Sequence, residues 1–197
     1  MTKSPNNFYT LGMMFRIAFL AWLLFASAPS AQAEFGFHGG AHFGYGRMGN
    51  DAGGSVGRNM GAFDLQFMPG YRILGFMPGL LLDYRLLSQL EDGSPTQANF
   101  SGHGLLMGLG LTYEPGPVKI LVSYDFRNRH WFSRPDTTYA GSGYHLLLGY
   151  KFMPGFSFDL EYVSSTYNSV EVNGIASGLN NDTVTHWNIG FGVSYSY

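Results

Sequence analysis

Residues 151–162 read KFMPGFSFDLEY, and this stretch decides the fold. Large apolar side chains alternate with polar ones on both sides of a Pro-Gly pair, which is the pattern of two extended strands joined by a turn. One face of this hairpin carries Phe152, Phe156, Phe158, Leu160 and Tyr162, and the other carries Lys151, Ser157, Asp159 and Glu161. Alternation alone does not say which face lies inside the protein.

The first 33 residues have the composition of a secretory signal peptide. Lys3 and Arg16, with no acidic residue between them, form a positive region that precedes an apolar run at residues 17–26 (IAFLAWLLFA), and this run is too short to span a bilayer. Residues 30–33 (SAQA) then offer a small-residue cleavage site. We therefore expect a signal peptide over residues 1–33 and a single domain over residues 34–197, with an uncleaved anchor helix as the alternative.

The composition excludes several classes of protein. Charged residues make up only 12% of the chain, against about 25% in ordinary soluble domains, while aromatic residues reach 17%. There is no cysteine, which excludes disulfides, thiolate metal sites and thiol chemistry. Without Lys3 and Arg16, nine of the eleven basic residues remain against thirteen acidic ones, a net charge near −4. Such a surface does not suit nucleic acid.

Alternation predicts an all-β chain of eight strands and no helix after the signal peptide. The candidate strands are residues 35–46, 60–74, 80–90, 102–114, 118–129, 143–152, 156–166 and 185–197. Connections after the second, fourth and sixth strands are short, whereas those after the first, third, fifth and seventh are long and polar. This is the pattern of an antiparallel up-and-down barrel with a turn end and a loop end.

Pro-Gly segments mark the expected turns. The tetrapeptide FMPG occurs at residues 76–79 and again at 152–155, and EPGP lies between them at 114–117. Pro69 lies inside the second candidate strand, where a proline removes one donor from the hydrogen-bond ladder. We therefore expect a bulge or an earlier strand end at Pro69.

The sequence predicts that the polar face lines the inside of the barrel. Glycines interrupt it at several positions, among them Gly104, Gly108 and Gly149, and glycines leave room for large polar groups in a narrow lumen. The apolar face continues for roughly ten residues per strand, about the length that a tilted strand needs to cross hydrocarbon. Aromatic side chains near the strand ends fit interfacial girdles; they are Phe67, Tyr71, Tyr113, Phe152, Phe156, Trp187 and Tyr195.

The sequence predicts a network of paired charges in the lumen, because buried charges must be paired or hydrogen-bonded. The predicted network comprises Asp64, Arg72, Asp83, Arg85, Glu114, Lys119, Asp125, Arg127, Lys151, Asp159 and Glu161, with Gln66 and Arg129 on the same face. Six acidic residues balance six basic ones in this set. The hairpin register about the EPGP turn sets Glu114 opposite Lys119, Gly108 opposite Asp125 and Leu106 opposite Arg127.

The mature chain resembles the small eight-stranded outer-membrane barrels of the OmpA/OmpX-like family. The resemblance covers the signal ending AQA, the hairpin GYHLLLGYKF–FSFDLEY and the last strand WNIGFGVSYSY. It implies localisation in the cell outer membrane of a Gram-negative bacterium and contact with outer-membrane lipids. It also implies handling by periplasmic chaperones and by the barrel assembly machinery, for which Tyr197 is the expected C-terminal assembly signal.

The expected function is non-enzymatic: a monomeric barrel that gives membrane integrity and displays extracellular loops, without a cofactor or nucleic acid. A narrow pore is one alternative, although eight strands leave an interior that side chains can fill. A lipid-modifying enzyme is another, for which the candidate residues are His145, His186, Ser142 and Ser165. A metal-binding pair at His103 and His130 is a further hypothesis, although no carboxylate completes it and polar rim residues are the alternative.

Overall fold

The computed structural model describes residues 33–50, 58–90, 101–133, 136–178 and 183–197. Apart from Ala33, the expected signal peptide lies outside these residues. Among the described residues, no helix is long and apolar enough to cross a membrane. The described strands are β1 (Glu34–Asn50), β2 (Arg58–Arg72), β3 (Phe76–Gln89), β4 (Ser101–Tyr113), β5 (Val118–Ser133), β6 (Asp136–Met153), β7 (Phe156–Val172), β8 (Ile175–Gly178) and β9 (Val184–Ser196).

Eight of these strands form a closed antiparallel barrel. Each strand from β1 to β7 pairs with the next, β7 pairs with β9, and β9 pairs with β1 to close the sheet. The short strand β8 pairs with β7 alone, beyond the barrel. The predicted eight-stranded up-and-down topology is therefore confirmed, and every barrel strand has both edges paired.

The apolar face lies outside. Leu109 and Phe191 are each 67% exposed on the barrel exterior, whereas Asp83 and Arg85 are fully buried inside it. A water-soluble barrel would have the opposite arrangement. In hydrocarbon, however, a closed sheet satisfies every backbone group of its strands and an apolar exterior is favourable. Asp159 and Glu161 of the opening stretch accordingly point into the barrel, and Phe158 and Leu160 point out of it.

Aromatic side chains border the apolar exterior at both ends of the barrel. Toward the turn end, Phe76 stacks on Tyr113 at a centroid distance of 4.3 Å, and Phe156 lies 4.8 Å from Tyr195. Toward the loop end, the Tyr45 and Trp187 rings lie 6.4 Å apart. Two aromatic belts are the usual flanks of a membrane-spanning band.

The turn end of the barrel contains three short turns, the start of β1 and the end of β9. Turns lie at residues 114–117 and 154–155, as predicted. The first turn, however, lies at Leu74 and Gly75, which adopt positive φ angles of 54° and 83°, and FMPG at residues 76–79 is the start of β3. The prediction of a turn at 76–79 is wrong because Gly75 supplies the left-handed backbone three residues before Pro78.

The loop end differs from the prediction in β5 to β8. The expected long loop after the fifth strand is replaced by continuing strands, since β5 runs to Ser133 and β6 starts at Asp136. Asn173 and Gly174 have φ angles of 51° and 78°, which reverse the chain from β7 into β8. At this end β5, β6 and β7 therefore continue as paired strands, and β8 adds a fourth strand beside β7.

A bulge in β5 reverses the orientation of its last residues. Gly108 of β4 pairs with Asp125 as predicted, but the next pair is Met107 with Arg127, so one extra residue is present in β5. The predicted pair of Leu106 with Arg127 is wrong, because Leu106 pairs with Asn128. Each residue of β5 beyond the bulge consequently faces the opposite side from the one that unbroken alternation predicts.

Pro69 causes no bulge. Phe67 pairs with Leu82 and Gly70 pairs with Gly79, so the register between β2 and β3 is the same on both sides of the proline. Only the pairing between these two positions is interrupted, and β2 continues to Arg72. The prediction of a bulge or an earlier strand end is wrong, because the lost donor is tolerated near the turn end without an inserted residue.

Candidate functional site

Two apolar clusters and a set of charged and polar side chains fill the lumen. One apolar cluster consists of Met68, Met77, Leu81, Leu121 and Leu147. A second apolar cluster near the loop end consists of Met48, Met60, Ala62, Leu87, Phe132 and Tyr167. The set of buried charged and polar side chains is named here the charged band: His38, His42, Asp64, Gln66, Asp83, Arg85, Lys119, Asp125, His145, Asp159 and Glu161. The first cluster and the charged band share one level of the barrel, since Leu147 pairs with Glu161 and Met68 pairs with His38. The apolar clusters were not predicted from the sequence, although residues such as Leu81 and Leu121 have the inward parity.

Arg85 spans the lumen within the charged band. Its Nε atom donates to Asp83 Oδ2 on the same strand at 2.7 Å. Its Nη2 atom donates to Glu161 Oε1, which belongs to β7 on another wall of the barrel. All three side chains are fully buried. Arg85 therefore links β3 to β7 through charge-assisted hydrogen bonds in a region without bulk water.

His42 of β1 lies among three carboxylates. Its Nδ1 atom is 2.9 Å from Asp64 Oδ1 and 3.2 Å from Glu161 Oε2, and its Nε2 atom is 3.3 Å from Asp159 Oδ2. Gln66 Nε2 donates to Asp64 Oδ1 at 3.1 Å. The three carboxylates belong to the predicted lumen network, whereas His42 and His38 were not predicted, although both histidines have the inward parity of β1.

Lys119 holds the turn-side part of the charged band. Its Nζ atom donates to Ser157 Oγ at 2.7 Å and to the Ser194 hydroxyl, and lies 3.1 Å from Asp159 Oδ1. Ser157 also donates to Asp159 Oδ1 at 2.9 Å. Lys119 thus connects β5 with β7 and β9 through one buried ammonium group.

Glycines opposite the charged side chains provide the space that they occupy. A Cβ atom on Gly149 would contact Asp159 Oδ1 and would lie 2.9 Å from Lys119 Cε. A Cβ on Gly108 would likewise meet Asp125 Oδ1. The inference that the inward glycines make room for large polar groups agrees with these contacts.

Two of the predicted network residues point outward. Arg127 lies at the bulge with an exposed side chain, and Arg129 is half-buried with its guanidinium carbon 5.6 Å from the centre of the Trp131 ring. Asn128 is buried in the lumen instead, where it donates to Ser165 Oγ at 2.9 Å. The assignment of Arg127 and Arg129 to the lumen is wrong because the extra residue in β5 reverses the alternation after Asp125.

The charged band is consequently acidic. Among the described residues it contains five carboxylates, those of Asp64, Asp83, Asp125, Asp159 and Glu161, but only one arginine and one lysine, Arg85 and Lys119. The predicted balance of acids and bases does not hold in the charged band. Asp125 makes a hydrogen bond with Ser123 at 2.7 Å, and its Oδ2 atom has no hydrogen-bond partner.

The remaining predicted residues form a separate cluster at the turn end. Glu114 Oε2 accepts from Lys151 Nζ at 2.7 Å and lies 3.2 Å from Arg72 Nη2. Burial alone would raise the pKa of Glu114, but the hydrogen bond from Lys151 and the charge of Arg72 outweigh it and hold the pKa below the ordinary value of 4.5. Glu114 is therefore ionised at neutral pH and links the end of β2, through Arg72, to the end of β6, through Lys151.

Three of the four residues proposed for lipid chemistry lie inside the barrel. His145, His186 and Ser165 are buried in the lumen, whereas Ser142 is half-buried and pairs with the exposed Thr166. Ser165 Oγ accepts from Asn128, while neither ring nitrogen of His186 has a hydrogen-bond partner. A base that activates a serine must lie within hydrogen-bond reach of its hydroxyl, and here the two side chains are not hydrogen-bonded.

The His103 and His130 pair does not form. His103 lies on the exterior, where its ring stacks on Trp131 at 5.2 Å. His130 is buried in the lumen, with its Nδ1 atom 2.6 Å from the Tyr167 hydroxyl. The two histidines occupy opposite sides of the barrel wall because the bulge in β5 precedes His130.

No protein-family model and no curated protein matches this chain. Neisserial surface protein A (NspA) is similar in structure, with a TM-score of 0.55 and 18% identity over 81% of this chain and 96% of that one. The attachment invasion locus protein Ail of Yersinia pestis is similar with a TM-score of 0.50 and 15% identity, covering 82% of this chain and 99% of that one. At these identities the likeness is one of fold. The chain therefore folds as a small eight-stranded outer-membrane β-barrel, as its sequence predicted.

Proposed function

We propose that the protein is a monomeric, non-enzymatic barrel of the cell outer membrane that contributes to membrane integrity and presents its loop end for binding. The closed lumen carries this proposal. Asp83, Arg85, Lys119 and Glu161 are fully buried inside the barrel, and two clusters of buried apolar side chains fill further parts of the lumen, which leaves no place for a wide aqueous path. A barrel without a conduit acts through its wall and its ends.

The length of the strands at the loop end supports a binding role. A strand needs about 9–11 residues to cross the hydrocarbon of a bilayer. Strands β5, β6 and β7 contain 16, 18 and 17 residues, and the turn end offers only short turns. The excess therefore extends toward the loop end, where β8 adds a further strand on β7. The names of the two similar proteins, a surface protein and an attachment protein, agree with a role at the cell surface.

The assignment to the outer membrane includes export and assembly steps. We propose that a signal peptide is removed after Ala33, that periplasmic chaperones carry the chain, and that the barrel assembly machinery recognises the end of β9. The backbone of Tyr197 exchanges two hydrogen bonds with Phe37, at 3.0 and 2.9 Å, while its side chain is 67% exposed. Such an aromatic side chain is accessible for recognition. N-terminal sequencing of the outer-membrane protein should give Glu34, and a sequence that retains residues 1–33 would contradict the processing step.

Single-channel recording tests the closed lumen. The refolded protein in planar bilayers should give no steady conductance, with an open porin as the positive control for insertion. A large, steady conductance would instead establish a pore. The lipids of the same vesicles should keep their masses on prolonged incubation, and a change in lipid mass that depends on the protein would establish enzymatic activity.

A further inference from the structure

One histidine and two carboxylates of the charged band converge. His42, Asp64 and Glu161 each offer one ligand atom, and these three atoms lie within 4.8 Å of one another. His42 Nδ1 is 2.9 Å from Asp64 Oδ1 and 3.2 Å from Glu161 Oε2. Ligands that bind one ion at about 2.0–2.2 Å lie roughly 3 Å apart. We propose that these three side chains bind one divalent transition-metal ion in the lumen.

Unsatisfied polar atoms point to an ion rather than to a proton at this position. A proton on His42 Nδ1 is donated to Asp64, and Glu161 Oε2 then remains buried without a hydrogen-bond partner, as does Asp64 Oδ2. Both carboxylates are fully buried. An ion at the same place bonds to all three side chains at once, and buried charged oxygens without partners are costly.

The charge of the surrounding band gives a second, independent argument. Five buried carboxylates face only Arg85 and Lys119 among the described residues. With all five carboxylates ionised, a protonated His42 would leave two negative charges uncompensated in the band, whereas a divalent ion beside a neutral His42 would leave one. A low-dielectric interior favours the arrangement with less uncompensated charge.

Neighbouring groups orient the ligands as they do in metal sites. Asp159 Oδ2 lies 3.3 Å from His42 Nε2, so the proton of the imidazole belongs on Nε2 and Nδ1 is left to bind the ion. Gln66 donates to Asp64 Oδ1, and Arg85 donates to Glu161 Oε1, which leaves Oε2 for the ion. One imidazole with two carboxylates is a mixed nitrogen and oxygen donor set, which suits Zn²⁺ or Mn²⁺ better than a soft, thiol-preferring ion.

Metal content of the folded chain tests the site. The untagged protein is refolded in detergent with excess Zn²⁺, desalted, checked for the gel shift of the folded barrel, and assayed by inductively coupled plasma mass spectrometry. Wild type should retain about one ion per chain, because the site is enclosed once the barrel forms. His42→Gln and Glu161→Gln should each lose at least about nine-tenths of it, and Asp64→Asn serves if either variant fails to fold.

Two histidine variants outside the cluster serve as controls. His186→Gln changes another buried lumen histidine, and His103→Gln changes an exposed one; both should retain zinc as wild type does. Zinc should also raise the temperature of the gel shift for wild type but not for His42→Gln. If the wild type keeps no zinc, or if His42→Gln and Glu161→Gln keep as much as wild type, the metal site is refuted and His42 is held by a proton instead.

Discussion

Arg85 and Arg127 provide a matched test of the lumen. Both arginines are on strands of the barrel, and an unbroken alternation places both inside. In the structure Arg85 is fully buried and bonded to Asp83 and Glu161, whereas Arg127 is exposed at the bulge of β5. The substitutions Arg85→Met and Arg127→Met remove the same charge from these two environments, and we expect opposite results.

Arg85→Met removes the cation that is bonded to Asp83 and Glu161. Removing one member of a buried ion pair typically costs about 3–5 kcal/mol, and among the described residues no other cationic side chain forms an ion pair with Asp83. We expect the free energy of unfolding to fall by this amount. Arg127→Met removes a cation from the exterior. A charge there has little effect on stability near the interface and is destabilising in hydrocarbon, so the free energy of unfolding should change by less than about 0.5 kcal/mol or rise.

Urea titration of the refolded protein measures both changes. Unheated gel samples separate the compact folded barrel from the unfolded chain at each urea concentration, and the midpoint and slope give the free energy of unfolding. Arg85→Lys keeps the charge but not the planar fork and should fall between wild type and Arg85→Met. Equal losses for Arg85→Met and Arg127→Met, or a larger loss for Arg127→Met, would refute the assignment of Arg85 to the lumen and Arg127 to the exterior.

Three further changes have defined outcomes. Leu160→Arg puts a cation on the exposed apolar exterior and should lower the free energy of unfolding by about 2–4 kcal/mol if the site is at the midplane and by less toward an interface; an unchanged urea midpoint would contradict a lipid-facing Leu160. Gly46→Ala adds a Cβ that meets the Trp187 carbonyl oxygen and should cost about 1–3 kcal/mol, whereas Gly39→Ala, whose Cβ would have only a 3.7 Å contact, should be nearly neutral in the same titration. Glu114→Gln removes a carboxylate whose pKa is lowered in the folded state, so wild type should be more stable than the variant by about 1 kcal/mol above the ordinary pKa of 4.5. That difference should vanish as the pH falls through the folded pKa, and a difference that grows on acidification would contradict the pairing of Glu114 with Lys151 and Arg72.

The orientation of the barrel wall is predictable from the sequence because it depends on a period of two. The alternation around Asp159 and Leu160 continues without interruption from Phe156 to Asn168 of β7, and both residues face the predicted sides. The same rule failed in β5, where a single extra residue precedes Asn128. Neither a proline nor a glycine in β5 marks this bulge, so no local residue signals it, and the predicted orientations from Arg127 onward were reversed.

The partners of the lumen side chains are less predictable than their orientation. Asp64, Asp83, Asp159 and Glu161 have the predicted inward parity, but the bonds of Glu161 are to Arg85 and His42, on strands far away in sequence. Such contacts across the lumen depend on the closure of the whole barrel and on its shear, which alternation within one hairpin does not contain. His42 was detectable, since it shares the inward parity of β1 with the glycines around it.

The central claim is that the apolar face of the strands contacts lipid, and depth-dependent quenching at Leu160 tests it most directly. Because the chain contains no cysteine, Leu160→Cys provides a single attachment point for a fluorophore. In bilayers, lipids with nitroxide-labelled acyl chains should quench this label strongly, and a water-soluble quencher should have little effect, because Leu160 is exposed on the exterior between Phe158 and Tyr162. Equal protection of the label from lipid-borne and water-soluble quenchers would mean that Leu160 lies in the interior, and it would contradict the structure.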